Sequence, residues 1–412
     1  MVQELNRVGK SSDFPDTTPA ANPVFYRTYS RHTPNGTESW QEVCDRTISG
    51  LAKLGKLTAQ EIDLLWRMQK PLKALPSGRW LWIGGVKWLE AQENFSGAYN
   101  CTSTNVDDWR AFGLMMDLAM MGCGTGAVLE PRYINQLPPI KNHLNVTIAG
   151  EIGTTAPENR RDLTEVVVDG ARVRIHVGDS RKGWVDSYQC LLELSSDDRF
   201  DGEVQVAIDL SDVRPAGEPL KGFGGVANPV KLPQLYQRCA AILNRAVGRQ
   251  LNSVECCLLI DEAATTIVSG NIRRSAGMRQ GISDDALFSQ AKSNLWQQDE
   301  NGNWRIDPER DALRMANHTR VFHHKPTEAE CIEAVQQQYY SGEGAIQYAP
   351  EAIARANADI FHTPELKQEF IEIYTSLGLE ETRNWLKTNY PEMPDYEVEH
   401  RLQRYGLNPC GK

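Results

Sequence analysis

Near its end the chain reads Leu407-Asn408-Pro409-Cys410-Gly411-Lys412, and no other stretch restricts its own backbone so closely. Proline fixes its φ, and glycine accepts angles that other residues avoid. The two flank one cysteine and predict a tight tip that holds a single thiol, fed by a helical stretch from about Asp395 to Arg404. Two readings are open at this point. Cys410 is an inert residue on a frayed end, or it is a thiol presented for chemistry.

The chain is long enough to build a scaffold around such a tip. Its 412 residues allow two or three domains or one large one, and a hydrophobic fraction of 41% allows a sizeable core. A net charge of −10 excludes nucleic-acid binding of the basic kind, so an anionic ligand needs a local set of arginines, lysines or helix N-termini. Cysteines at 44, 101, 123, 190, 239, 256, 257, 331 and 410 form no CxxC and no zinc-spaced set. Their odd number, without a secretory leader, predicts a reducing cytoplasm. Ala111 to Leu129 is the most apolar stretch. Asp117, Thr125 and several glycines interrupt it, which predicts a buried helix and a turn and no membrane span.

Residues 1–23 read as a loop-like N-terminus and residues 24–95 as a helical region. Glu42 to Leu54 and Thr58 to Met68 carry apolar residues at helical spacing, and Thr58 with Glu61 fits a capping box. Residues 140–178 read as β structure. Leu163 to Val168 and Ala171 to Val177 flank Asp169-Gly170, a strong hairpin signal. Val204 to Leu210 predicts a short strand. Pro233 to Leu251 and Ser253 to Ser269 predict helices, the second capped by Gly270. Cys256 and Cys257 lie adjacent inside it, point in different directions and read as packing residues. A short strand begins at Val321-Phe322, His318 reads as a structural histidine, and residues 365–404 are helical.

Several motifs admit a packing reading beside a chemical one. Pro76-Ser77-Gly78-Arg79-Trp80-Leu81-Trp82-Ile83-Gly84-Gly85 suits an aromatic packing segment closed by a glycine turn. Cys101, after Tyr99-Asn100, suits a small buried residue. Gly122-Cys123-Gly124-Thr125-Gly126 lacks the Gly-Lys-Ser/Thr of a phosphate loop, yet such a run lets a backbone approach a ligand closely. Cys123 within it reads as packed. Asp179, Ser180 and Arg181 open a helix, where they suit a nucleotide or a plain cap at Asp179. Arg214-Pro215 and Lys221 to Gly225 form a glycine loop with two positive charges. Gly270 to Gly277 carries Asn271, Arg273 and Arg274 on a loop suited to meet phosphate or base.

From about residue 70 to 411 these stretches, in this order, resemble the adenosylcobalamin-dependent (class II) ribonucleotide reductases of the monomeric, triphosphate-reducing type. The resemblance implies an α/β fold: the first half of a ten-stranded reductase barrel, preceded by a small helical region. Residues 96–412 would form this partial barrel, with an effector-binding region at about 140–280. It implies adenosylcobalamin as cofactor, a ribonucleoside triphosphate as substrate, a dNTP effector and a thioredoxin-type reductant, with no role for nucleic acid or membrane. Cys410 would carry the thiyl radical, Cys101 would be one of two thiols that reduce the ribose, and Asn408 would hydrogen-bond the ribose or the cysteine loop. Ser77, Arg79, Asn100, Gly122 and Gly124 would meet the substrate. Asp179, Ser180, Arg181, Asn271, Arg273 and Arg274 would meet the effector.

The pattern departs at Lys412, where the family carries a glutamate that works as a general acid/base; a lysine, cationic at neutral pH, does not act as a carboxylate does. The resemblance also implies a second half of the barrel, so the expectation is a fragment that joins a C-terminal reductase half, through a split gene or an intein junction. Alternatives are a non-catalytic module that binds dNTP effectors and an unrelated cysteine hydrolase, for which only His400 lies near Cys410 in sequence.

Overall fold

The computed structural model describes residues 14–15, 20–33, 36–220, 226–267 and 276–409. They fall into two compact units, residues 1–100 with 221–223 and the remainder.

The first unit holds α1 (Ala21–Thr28), a two-strand ribbon of β1 (His32–Thr33) and β2 (Gly36–Thr37), then α2 (Trp40–Gly55), α3 (Ala59–Gln69), α4 (Gly78–Ile83) and α5 (Lys87–Glu90). Both long helices open on capping boxes, Ser39 with Glu42 and the expected Thr58 with Glu61. Trp40 of α2 packs edge-on against Phe14 and Phe25. The tryptophan-rich segment forms α4 and its turn, and α2 holds it in place. Arg46 donates to the carbonyls of Gly84 at 2.6 Å and Leu81 at 3.0 Å, and its Nε pairs with Glu38 at 2.7 Å. Trp80 donates from its indole to the Thr47 carbonyl at 3.1 Å. Gly85 has φ +72°, and a Cβ there would lie 2.1 Å from the Arg46 carbonyl oxygen, so the turn that closes this segment requires glycine.

The second unit begins with β3 (Cys101–Asn105), α6 (Trp109–Met120), β4 (Gly124–Val128) and α7 (Pro131–Ile134). A smaller sheet follows: β5 (His143–Ala149), β6 (Glu165–Asp169), β7 (Arg172–His176), α8 (Arg181–Leu194) and β8 (Glu203–Asp209). The order is β5-β8-β7-β6, parallel except for the β6–β7 hairpin, in which Asp169 pairs with Arg172 as the Asp-Gly signal predicts. Then come α9 (Leu232–Arg245), α10 (Ser253–Thr266), β9 (Gly277–Ile282), α11 (Ala286–Ser289) and the ribbon β10 (Trp296–Gln298)–β11 (Trp304–Ile306). The unit closes with β12 (Ala316–Phe322), α12 (Glu328–Ser341), β13 (Ala345–Tyr348), α13 (Ala349–Ala356), α14 (Pro364–Asn389) and α15 (Asp395–Leu402). Gly378, with φ +85°, interrupts α14.

The main sheet has five parallel strands ordered β13-β12-β9-β4-β3. Space order follows chain order, so every crossover steps one strand in the same direction, and right-handed crossovers then stack their helices on one face. Side chains alternate between faces. On the helix face Arg279 of β9 and Asp261 of α10 pair at 2.7 Å with no exposure at all, and Gly281 leaves room for the Phe288 ring, which a Cβ would meet at 2.4 Å.

The structure revises several expected elements. The run Gly124–Val128 is a strand and not only a turn, β12 begins at Ala316 and so contains His318, and α9 ends at Arg245. Helix α10 ends at Thr266; Gly270 lies outside the described residues. Cys256 and Cys257 are fully buried, and burial pushes both thiols up, in keeping with packing. Among the described residues no helix is long and apolar enough to cross a membrane.

Helix α10 also carries Glu262, 3% exposed and paired with Arg238 at 2.7 Å. Burial outweighs the arginine and pushes its carboxyl up to about 7. An acid whose folded pKa lies above its unfolded value contributes its full stability below the unfolded value and loses it as pH rises through the folded one. Urea unfolding across a pH series is therefore expected to show stability falling from about pH 4.5 to about pH 7, and Glu262→Gln is expected to flatten that slope.

Candidate functional site

The face of the main sheet away from the helices carries Cys101 and Ser103 on β3, aligned with Gly124 and Gly126 on β4, and Gln280 on β9. Residues 405–409 cross this face. The Leu407 amide donates to Gln280 Oε1 at 2.6 Å, and Gln347 of β13 donates to the Tyr405 carbonyl. The glycine run serves this crossing. Gly122, at φ +75°, turns the chain out of α6. A Cβ on Gly126 would lie 2.1 Å from the Leu407 carbonyl oxygen, and one on Gly406 would lie 2.1 Å from Ser103 Oγ. A Cβ on Gly124 would lie 2.9 Å from Cys101 Sγ and 3.0 Å from the Pro409 ring.

Cys101, half-buried at the start of β3, thus shares one gap with Pro409. Asn408 is half-buried beside that proline, and Cys123 is buried behind the turn. Cys410 and Lys412 lie outside the described residues.

Where β4 and β12 end, a buried polar cluster that sequence reasoning missed anchors the crossing segment. Tyr405 donates to Glu130 Oε2 at 2.9 Å and accepts from Arg132 Nε at 3.1 Å. His323 meets Glu130 Oε1 through Nε2 at 2.9 Å and the Tyr374 hydroxyl through Nδ1 at 2.9 Å. Burial raises the Tyr405 phenol strongly and lifts Tyr374 to about 12, so both act as neutral hydrogen-bonding groups. These residues are scattered singly through the sequence, and only the C-terminal ends of parallel strands bring them together.

The expected effector residues divide. Asp179 is buried and accepts from Arg214 Nε at 2.8 Å and from the Arg214 amide at 3.0 Å, with Arg160 at 3.6 Å. It is not the helix cap: Ser180 is, accepting from the Gly183 amide at 2.9 Å. Arg214, read from sequence as a charge on a glycine loop, is 7% exposed. Arg181 pairs with Asp117 at 2.6 Å. Asn271, Arg273, Arg274 and the loop 221–225 lie outside the described residues.

In the first unit, Ser77 caps α4 by accepting from the Trp80 amide at 3.2 Å. Arg79 donates to Asn100 Oδ1 at 2.8 Å and to the Gly97 carbonyl at 3.1 Å. That pair fixes the backbone just before Cys101.

Comparison with known proteins adds a family context. Residues 151–243 match the family model of the B12-dependent ribonucleotide reductase insertion domain. The adenosylcobalamin-dependent ribonucleoside-triphosphate reductase of Lactobacillus helveticus is 28% identical over 66% of this chain and 42% of its own. A probable enzyme of the same name from Dictyostelium discoideum is 26% identical over 73% of this chain and 39% of its own. A putative one from Mycobacterium phage D29 is 31% identical over 63% and 39%. A crystal structure of a B12-dependent (class II) ribonucleotide reductase superposes with a TM-score of 0.57 and 22% identity, over 75% of this chain and 46% of that one. The chain is thus similar to these reductases over about two thirds of its own length and spans about two fifths of theirs.

Gly126→Ala is expected to displace residues 406–409 while leaving the helix face of the sheet intact, because the added Cβ has no room beside the Leu407 carbonyl. Hydrogen exchange would show it as lost protection at the Leu407 amide with the α10 amides unchanged.

Proposed function

We propose that this chain supplies the first half of a ten-stranded reductase barrel, its five parallel strands preceded by a small helical region, and works in removing the 2′-hydroxyl of ribonucleoside triphosphates. One observation carries the reading: Cys101 and Pro409, the residue before Cys410, meet at Gly124. A thiol at the start of β3, reached by the residue that precedes a second cysteine in sequence, suits a sugar held between two sulfurs.

In this reading Cys101 and a partner thiol each give up one hydrogen and form a disulfide. The two electrons and two protons reduce the C2′ position, and the hydroxyl leaves as water. Cys410 is the thiyl carrier, and Asn408 orients the ribose or the tip. Gly122 and Gly124 give the turn beside Cys101 its clearance for the substrate, and Ser77, Arg79 and Asn100 are further substrate-binding candidates by resemblance. A thioredoxin-type dithiol resets the disulfide by exchange. The cofactor is adenosylcobalamin, by the names of the relatives. Neither face of the main sheet offers a space that fits it. Residues 406–409 fill the space over β3 and β4, and the pocket beside β12 encloses about 430 Å³ including its mouth, where a merely drug-sized ligand takes roughly 300–1,000 Å³. The dNTP effector belongs to the region of about 140–280, with Asp179 holding Arg214 and the helix start at Ser180, while Arg181, Asn271, Arg273 and Arg274 contribute positive charge and hydrogen bonds.

The test combines the chain with a polypeptide carrying the C-terminal part of a relative, and measures nucleotide reduction with adenosylcobalamin and a dithiol. Turnover is expected from the combination and is expected to vanish in Cys101→Ser and in Cys410→Ser, with dNTP binding by calorimetry retained. Undiminished turnover in Cys101→Ser would overturn the assignment. Effector binding with no turnover from any combination would favour a non-catalytic nucleotide-binding module.

A further inference from the structure

On the helix face of the main sheet, away from Cys101, a pocket is lined by Phe288, Ser289, Lys292, His318, Arg320 and Glu343, among others. His318 and Arg320 are each only 6% exposed. Arg320 Nη1 lies 3.6 Å from Glu333, whose side chain is 74% exposed, a weak partner in solvent. Arg320 Nε and Nη2 have no hydrogen-bond partner, nor do His318 Nε2 and Ser289 Oγ. The nearby carboxylate does not serve them: Glu343 accepts from Lys292 Nζ at 2.7 Å and from the His318 amide at 3.2 Å. Lys292 and Glu343 therefore cancel, and the charge left over is that of Arg320.

A buried guanidinium with two unsatisfied N–H groups is costly. Nε and Nη2 form one edge of the guanidinium, the fork that grips two oxygens of an oxyanion at once. The histidine adds a chemical condition. Its ring stacks on Phe288 at 4.8 Å, and the Phe288 backbone is the neighbour that favours a proton on the ring. With Nε2 unpartnered, that proton is assigned to Nδ1. Burial, Lys292 and Arg279 hold the ring neutral, well below its ordinary pKa. A neutral ring protonated at Nδ1 offers Nε2 as an acceptor. The pocket thus combines a fork of donors, a hydroxyl that gives or accepts, and one acceptor that asks for a hydrogen.

We propose that this pocket binds a protonated phosphate group. Two phosphate oxygens take the Arg320 fork, one of them also meets Ser289, and the phosphate hydroxyl donates to His318 Nε2. Sulfate, which has no proton to give near neutral pH, satisfies the fork and leaves the histidine unmet. The inference stands apart from the reductase reading, because none of these residues is assigned to the substrate or the effector.

The experiment is calorimetric titration of the whole chain with inorganic phosphate, with sulfate at matched ionic strength, and with adenosine monophosphate. Inorganic phosphate is expected to bind at least about tenfold more tightly than sulfate, the scale of one lost hydrogen bond to a charged group. Arg320→Gln is expected to lose binding, and Ser289→Ala to weaken it several-fold while leaving the fold intact; should Arg320→Gln not fold, Ser289→Ala decides. Binding of adenosine monophosphate alone, with the same response to Ser289→Ala, identifies the ligand as a phosphate ester and sustains the proposal. Equal affinity for phosphate and sulfate, binding indifferent to Ser289→Ala, or no binding of either phosphate compound overturns it, and the orphaned donors are then solvated by water. None of these results bears on turnover at Cys101.

Discussion

Two glutamines hold the site together. A segment laid across a sheet face leaves backbone groups that neither water nor a neighbouring strand can satisfy, and such groups must find partners. Gln280, fully buried, accepts from the Leu407 amide, and Gln347 donates a hydrogen bond to the Tyr405 carbonyl. The two side chains also bond one another, so the crossing segment is fixed by a continuous chain of amides. Tyr405 adds the second anchor through Glu130 and Arg132. The gap shared by Cys101 and Pro409 follows from these contacts, since without them nothing would press a proline ring against that strand.

The two faces of the sheet are built by opposite means. The helix face carries apolar side chains, the closed pair Arg279–Asp261 and the polar pocket at His318 and Arg320. The other face is made of absences, Gly124 and Gly126, whose missing side chains leave a channel wide enough for a main chain. Alternation along β4 puts both glycines on the channel side and Thr125 and Ala127 on the other. One strand thus contributes packing in one direction and clearance in the other.

Much of this was legible in sequence where the signal is local. The capping box at Thr58 and the hairpin at Asp169-Gly170 depend on a few adjacent residues, and the structure has both of them. Strands β4 and β9 were not legible. Gly-Thr-Gly-Ala-Val and Gly-Met-Arg-Gln-Gly-Ile lack the alternation of a half-buried strand, because central strands of a parallel sheet are covered on both faces. In β9 the buried Arg279 depends on Asp261, a partner on another element. The Glu130–His323–Tyr405 cluster escaped for the same reason, and the cap assignment at Asp179 failed because Arg214, thirty-five residues later, claims that carboxylate.

The threading of residues 405–409 sets an order of assembly. Tyr405 and Glu130 are 275 positions apart, so closing that contact waits on nearly everything between them, and contacts of such long separation are slow to form. Strand β3 emerges early from the ribosome yet keeps an unfinished face until residues 405–409 have crossed it. During that interval the Cys101 thiol stands open to whatever oxidant the cell holds.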